Sequence, residues 1–168
     1  MGLLSSENLT ARTSDARYTT GEEVANSVTH GIGAGLAITG LIFLIYYSVV
    51  YGTAWHIVSC AIYGTTLVLL YTVSTLYHSI PSPRFKSVMR ILDHAAIFLL
   101  IAGTYTPFTL VSLRGPWGWS LFGVIWGAAI LGILFQTALQ KSRVWFTVAL
   151  YILMGWAVVV AIKPLLSV

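Results

Sequence analysis

The chain has 168 residues, of which 57% are hydrophobic and only 8% are charged, and its mean hydropathy is +0.85. Soluble domains carry roughly 25% charged residues, so this composition excludes an ordinary soluble domain and indicates a membrane protein. The formal net charge of +4 does not indicate nucleic-acid binding, because the basic residues fall between apolar segments. The partners that we expect are membrane lipids.

Two kinds of segment follow one another along the chain. We predict a polar cytoplasmic tail over residues 1–23 and a transmembrane helical bundle over residues 24–168. No Asp, Glu, Lys or Arg occurs between Glu23 and Arg84, which leaves room for two spans of about 20 residues each. Because a span in lipid must satisfy its own backbone, the apolar segments are predicted to be helices in an all-α polytopic bundle. The predicted spans cover about residues 27–50, 55–78, 92–113, 117–139 and 144–162.

The basic residues predict the orientation of these five spans. If the segments alternate across the membrane, seven Lys and Arg residues lie on the side of the N-terminus and two lie on the other side. Basic residues are enriched in cytoplasmic loops, so the N-terminus is predicted to be cytoplasmic. The seven are Arg12, Arg17, Arg84, Lys86, Arg90, Lys141 and Arg143, and the two are Arg114 and Lys163.

Small residues and a proline predict local features of the helices. Glycines recur at a spacing of four residues, as in Gly31 to Gly35 and Gly123 to Gly127, which is typical of helices whose backbones approach closely. Pro107 cannot donate a hydrogen bond to the carbonyl of Gly103, so we expect the third span to bend there.

The predicted topology gathers polar residues at one end of the bundle. His30 begins the first span, Ser74 and His78 end the second, and Asp93 and His94 begin the third. In an up-down-up arrangement all five lie at the cytoplasmic ends of neighbouring helices. Ser74 and His78 are four residues apart and therefore share one helix face. Ionisable groups near hydrocarbon usually face the bundle interior and have a partner, so this end is the candidate functional site.

For His78 and Asp93 two interpretations remain open. His78 is either a metal ligand, whose other ring nitrogen is oriented by Asp93 or a water molecule, or an interfacial histidine bonded to Ser74 or to a carbonyl group. Asp93 is either a general base or a partner of a metal ligand, or a residue stabilised by the dipole at the start of a helix.

The remaining polar residues are interpreted more simply. His30 and His94 can each form hydrogen bonds at the level of the lipid headgroups, and His56 lies beside Trp55 at the opposite interface. Ser74 lacks the sequence context of a serine nucleophile, so it suits hydrogen bonding to a ligand or to water.

Five segments of the sequence together resemble the hemolysin III family of bacterial membrane proteins, which belongs to the progestin and adipoQ receptor superfamily. The resemblance covers about residues 21–168 in order. The segments are EEVANSVTHGIGAGLAI, YTVSTLYHS, RILDHAAIFLLIAGTYTPF, LRGPWGW and LYILMGWAVVVAIKPL.

The resemblance implies a seven-helix bundle with a cytoplasmic N-terminus and a zinc ion (Zn²⁺) near the cytoplasmic side, as in adiponectin receptors and alkaline ceramidases. By position in the family pattern, His78 would be a zinc ligand, while Ser74 and Asp93 would surround the water that the metal activates. Asp93 would position this water or accept its proton. Such a centre would hydrolyse a lipid amide or ester.

The sequence departs from the family pattern after its fifth span. The pattern ends in a His-x-x-x-His pair on the last span, and this motif does not occur among the four histidines of the chain. The chain is therefore expected to be a fragment, to recruit His94 or His30 in place of the pair, or to hold the metal weakly, and we favour the fragment.

Two further functions remain open beside a zinc-dependent hydrolase of the bacterial inner membrane. The family name favours a non-enzymatic protein that affects membrane permeability, as in cytolysis, or lipid homeostasis. A receptor that senses a ligand is the third hypothesis.

Overall fold

The computed structural model describes residues 18–138 and 144–166. Most of the predicted tail (1–17), the connection 139–143 and residues 167–168 lie outside the described residues. Four of the nine basic residues that predict the orientation fall in these gaps: Arg12, Arg17, Lys141 and Arg143.

The described part of the chain is helical and contains no strand, so the predicted all-α fold is confirmed. It includes five helical stretches that are long and apolar enough to cross a membrane, and the protein is an integral membrane protein. The helices are α1 (Thr20–Tyr51), α2 (Ala54–Ser79), α3 (Pro83–Pro107), α4 (Pro116–Ala138), α5 (Val144–Trp156) and α6 (Ile162–Leu166). A π-helical segment (Phe108–Ser112) continues α3, and a 3-10 segment (Ala157–Ala161) joins α5 to α6.

Helix α1 begins earlier than the apolar pattern predicts, because a capping box starts it in the polar sequence. The Thr19 hydroxyl accepts a hydrogen bond from the Glu22 backbone N–H at 3.3 Å, and the Glu22 carboxylate accepts from the Thr19 N–H at 2.7 Å. The helix thus starts at Thr20, ahead of the predicted span 27–50. Glu23 therefore belongs to the first turn of a long helix, on the same element as His30.

Helix α3 is the central element of the bundle. Half of its most apolar window is buried, against 11% for α1 and 22% for α2. It packs against α2 on one side and against α4 and α5 on the other. The core between α3, α4 and α5 consists of Phe98, Ala102, Tyr105, Ile125, Ala129 and Met154. Because α1 packs chiefly on α2, most of its apolar surface faces outward, as is expected in lipid.

The predicted bend at Pro107 takes the form of a change in helix type. Helix α3 ends there and the chain continues as the π-helical segment, a local form that often marks a functional or strained position. The Thr106 hydroxyl donates to the carbonyl of Ala102 at 2.9 Å and accepts from the indole N–H of Trp126 at 3.1 Å. These bonds tie the irregular backbone to helix α4.

A single tyrosine satisfies the backbone where the last span changes from α to 3-10 geometry. The hydroxyl of Tyr105 lies 2.9 Å from the carbonyl oxygens of both Met154 and Gly155, to which it can donate, and it accepts from the Val158 N–H at 2.8 Å. Backbone groups left unpaired in lipid cost several kcal/mol each. Tyr105 therefore allows the last span to break its helical ladder inside the bundle.

We expect Tyr105→Phe to lower the free energy of unfolding by about 1–3 kcal/mol, because it leaves buried backbone groups without their partner. The measurement is the thermal unfolding midpoint of the purified protein in detergent. The matched control is Tyr46→Phe, because the Tyr46 side chain lies on the outer surface of α1 with 57% exposure. Equal midpoints for the Tyr105→Phe protein and the wild type would contradict this role of the hydroxyl.

Candidate functional site

Three helices meet in an ionic cluster at the end of the bundle that contains the start of α1. The Nδ1 atom of His78, near the end of α2, lies 2.6 Å from Oε2 of Glu23 in the first turn of α1. The other carboxylate oxygen, Oε1, accepts a hydrogen bond from Nζ of Lys86 at the start of α3. The His78 side chain is 7% exposed. We call Glu23, His78 and Lys86 the outer layer of the site.

Aromatic rings surround the His78 imidazole. The ring centroid of His30 lies 6.0 Å from that of His78, with an angle of 27° between the planes, and 5.7 Å from that of Tyr71. Tyr18 and Tyr77 contact His78 at 5.4 and 4.7 Å between centroids. Nδ1 of His30 is buried and has no hydrogen-bond partner among the described residues, which leaves this atom able to bind a group outside them.

A cleft of about 400 Å³ lies beside the outer layer. One part of its lining is polar, where the hydroxyl oxygens of Ser27 and Ser79 are 2.5 Å apart. Another part is apolar and includes Val24 and Val28, which are more than half exposed. The cleft therefore presents apolar and polar groups side by side, as a lipid near the headgroup boundary requires.

Helical spacing sets a second polar layer deeper in the bundle. His30 is seven residues after Glu23, and Asp93 is seven residues after Lys86, a distance of about 10.5 Å along nearly the same helix face. Ser74 is four residues before His78, or about 6 Å along its helix. The Ser74 side chain is buried. We call His30, Ser74 and Asp93 the inner layer.

Asp93 and His94 form their own contacts at this level. Oδ2 of Asp93 lies 3.9 Å from Nδ1 of His94, and the same Nδ1 lies within hydrogen-bond distance of the Arg90 carbonyl at 2.7 Å. The hydroxyl of Tyr151 in α5 donates to the His94 carbonyl at 2.8 Å. Within residues 18–138 and 144–166, no hydrogen bond or ion pair joins Asp93 to His78.

The carboxylate that pairs with His78 is Glu23, whereas the sequence suggested Asp93 or a water molecule as the orienting acceptor. Glu23 was missed because the predicted tail ended at residue 23, so its charge was assigned to a polar tail. A signal was present in the sequence: Glu23, Ser27 and His30 stand at i, i+4 and i+7, which places them on one stripe of helix α1.

The opposite end of the bundle contains an interfacial aromatic group. Nδ1 of His56 accepts from the Thr53 backbone N–H at 3.1 Å and so caps the start of α2. Beside it, the guanidinium of Arg114 lies 4.4 Å from the Trp55 ring centroid, and Trp119 contacts the same ring. His56 is thus far along the helix from His78 and has a structural partner of its own.

The site fits a zinc ion in the kind of its donors but not in their number. Nδ1 of His78 contacts a carboxylate, as the second ring nitrogen of a metal-binding histidine commonly does. His30 lies beside it with an unpartnered Nδ1. The described part of the chain contains no group of three or more His, Cys, Asp or Glu residues that could hold one metal ion, and a zinc centre needs at least three protein ligands. We therefore derive no reaction step through the metal.

Comparison with known proteins identifies relatives along most of the chain. The family model described as "Haemolysin-III related" matches residues 18–168. The chain is 51% identical to Hemolysin-3 of Bacillus cereus over 144 residues, which cover 86% of this chain and 66% of that protein. It is 46% identical to the Hemolysin-3 homolog of Bacillus subtilis (strain 168) over 148 residues, which cover 88% and 70%. The chain thus spans about two thirds of these relatives, and no solved structure matches it.

Proposed function

The chain belongs to the haemolysin-III-related family, and on that premise we propose that it is a zinc-dependent hydrolase of lipid amides or esters. Its centre lies near the cytoplasmic face of the bacterial inner (plasma) membrane, with the N-terminus in the cytoplasm. The observation that supports this proposal best is the pair of neighbouring imidazoles, His78 with its Nδ1 on a carboxylate and His30 with a buried Nδ1 that has no partner among the described residues.

His78 and His30 are the donors that this chain contributes to the metal. Of the two histidines that could replace the family's distal pair, His30 is favoured over His94. The His30 ring lies beside His78, whereas the Nδ1 atom of His94 lies 2.7 Å from the Arg90 carbonyl and the His94 side chain is 41% exposed. Zinc held in such a centre would supply activation of a water molecule for hydrolysis of a carbonyl compound.

The two other inner-layer residues have roles that follow from their functional groups. Asp93 can accept a proton from an attacking water molecule, because a carboxylate is an acceptor and its side chain is 18% exposed. Ser74 can donate its hydroxyl to the carbonyl oxygen of a lipid or to the same water. Both lie deeper than the cleft, which would admit the lipid from the headgroup region.

We expect the purified chain to bind zinc and to hydrolyse a lipid probe only while zinc is present. The probes are a fluorescent N-acyl sphingoid lipid for amide hydrolysis and a fluorescent phospholipid for ester hydrolysis. Zinc content is measured by elemental analysis, and activity is measured before EDTA treatment, after it and after zinc is restored. His30→Ala is expected to weaken zinc binding at least about tenfold. A wild-type chain that takes up no zinc, or hydrolysis that persists without it, would contradict the proposal.

The names of the relatives favour a second candidate function, in which the protein increases membrane permeability. It predicts that vesicles containing the protein leak an entrapped dye and that chelation of zinc does not change the leakage. The residues of the outer and inner layers cluster at one end of α1, α2 and α3, and the outward surface of α1 is rich in exposed Val, Ile, Leu and Tyr. This distribution favours a local site over a continuous aqueous path.

A further inference from the structure

We propose that Arg114 binds the phosphate group of a phospholipid, with the Trp55 ring as the platform for its guanidinium. The guanidinium carbon lies 4.4 Å from the centroid of that ring. Trp55 belongs to the first turn of α2, and Arg114 lies in the turn between the π-helical segment and α4, so only the folded bundle brings them together. Both lie at the end of the bundle opposite the candidate functional site, and the proposal is independent of the proposed hydrolase.

Arg114 has no anionic partner in the described part of the chain. No ion pair of its guanidinium occurs there. The acidic residues among the described ones are Glu22, Glu23 and Asp93, and all three lie at the other end of the bundle, about 30 Å away along α3 in the case of Asp93. An arginine does not lose its proton in proteins, so its charge has to be balanced by an anion from outside the described residues.

The contact with Trp55 leaves the hydrogen-bonding capacity of Arg114 unused. The cation lies over the face of the indole, whereas the five N–H donors of a guanidinium point outward in its own plane. Two parallel N–H groups match two oxygens of one phosphate group, which makes arginine well suited to this anion. The ring therefore orients the cation without occupying the donors that a phosphate would use.

The backbone on both sides of Arg114 is held in place by hydrogen bonds. The N–H of Gly118 donates to the carbonyl of Leu113 at 3.1 Å, and the N–H of Trp119 donates to the carbonyl of Gly115 at 3.0 Å. These bonds fix the turn against the start of α4. An anion that binds Arg114 thus has little backbone to order, which favours binding.

The rings around Arg114 favour a lipid as the source of the phosphate. Trp119 contacts Trp55 edge-on at 5.9 Å between centroids, and Phe122 contacts Trp119 at 5.8 Å. Trp117 and Trp119 are 52% and 51% exposed, and exposed indoles at the end of a membrane span are typical of the headgroup boundary. A phospholipid offers its phosphate to the cation and its apolar part to these rings, whereas free phosphate offers only the first.

The test is an NMR titration of the purified protein, labelled with ¹⁵N-arginine and ¹⁵N-tryptophan, in uncharged maltoside micelles. The ligand is dihexanoyl phosphatidylglycerol. The side-chain N–H signals of Arg114 and Trp55 are assigned from their loss in Arg114→Gln and Trp55→Phe. We expect both signals to shift along the same saturating curve. Equal concentrations of inorganic phosphate, or of dihexanoylglycerol, which lacks the phosphate, should shift neither signal.

Variants separate this site from a general attraction of cations to lipid. We expect Arg114→Gln to weaken phospholipid binding at least about tenfold, measured at the Trp55 signal. Arg114→Lys should also weaken it, because an ammonium group keeps the charge but lacks the planar pair of donors. Trp55→Phe should weaken it about two- to fivefold, measured at the Arg114 signal.

The matched control is Lys163→Gln, which removes an exposed cation at the same end of the bundle that lies over no aromatic ring among the described residues. It should leave the affinity within twofold of the wild type. An Arg114 signal that the phospholipid does not shift would overturn the proposal. An equal response to inorganic phosphate or to dihexanoylglycerol, or an equal loss of affinity in Lys163→Gln and Arg114→Gln, would overturn it as well.

Discussion

His78→Ala is expected to abolish the proposed zinc-dependent lipid hydrolysis, with a loss of at least about 100-fold, because it removes one of the two imidazoles that we propose as metal ligands. The His78 side chain lies where α1, α2 and α3 meet, and it contacts residues of α1 directly. No other histidine of the described residues is held by a carboxylate at hydrogen-bond distance. The measurement is turnover of the fluorescent amide and ester probes, together with the zinc content of the same preparation.

Two other histidines provide the controls for this prediction. His56→Ala removes an imidazole at the opposite end of α2 and should leave turnover within about twofold of the wild type. His94→Ala tests the alternative ligand, and because the His94 Nδ1 contacts the Arg90 carbonyl, we expect it to retain zinc. Loss of zinc in His94→Ala with retention in His78→Ala would reverse our assignment of the ligands.

Gly118→Ala is expected to lower the free energy of unfolding by about 3 kcal/mol, which corresponds to roughly 6–12 °C in Tm for a chain of this length. A Cβ atom at position 118 would lie 2.1 Å from the carbonyl oxygen of Thr109 and 2.5 Å from that of Leu113. Both obstacles are backbone atoms of the chain that leads from α3 into α4, so no side-chain rotation can relieve the overlap. The start of α4 would have to move away from the π-helical segment.

Gly123 and Gly127 on the same helix provide the comparison. A Cβ atom at either position meets no atom within 4 Å, and alanine favours a helix over glycine by about 0.8–1 kcal/mol. We therefore expect Gly123→Ala and Gly127→Ala to melt no lower than the wild type. If Gly118→Ala unfolded at the same temperature as these two variants, the result would contradict the close approach of residue 118 to the backbone of Thr109 and Leu113.

The glycines also show what the spacing of residues can and cannot predict. The four-residue spacing of Gly123 and Gly127 suggested a close helix contact, yet this face of α4 is open. The tight contacts in the described part of the chain occur at other glycines, such as Gly103 against Thr66 and Gly132 against the Phe98 ring. The spacing of glycines identifies a helix face that a neighbouring helix could approach closely. The rotation of each helix in the bundle decides which face the neighbouring helix packs against.

The candidate site likewise has one part that the sequence predicted and one part that it did not. From the sequence alone, the charge counts and the helical period predicted that His30, Ser74 and His78 lie at one end of the bundle. The contact between the His30 and His78 rings agrees with that prediction. The pairing of His78 with Glu23 was missed, because Glu23 lay on the tail side of the predicted boundary between tail and span. In the structure a capping box starts α1 at Thr20, ahead of the predicted boundary. Glu23 therefore lies in the helix and contacts His78.

Hydropathy was sufficient to predict the class of the protein and its helices. An unpaired backbone group in lipid is costly in every apolar segment, so each segment must form a helix whatever its neighbours are. Pairings between side chains of different helices depend on how three helices rotate and shift against one another, and those quantities are set by packing over the whole bundle. For this reason the apolar segments revealed an all-α membrane protein, whereas the carboxylate that contacts His78 and the open face of α4 emerged only from the assembled helices.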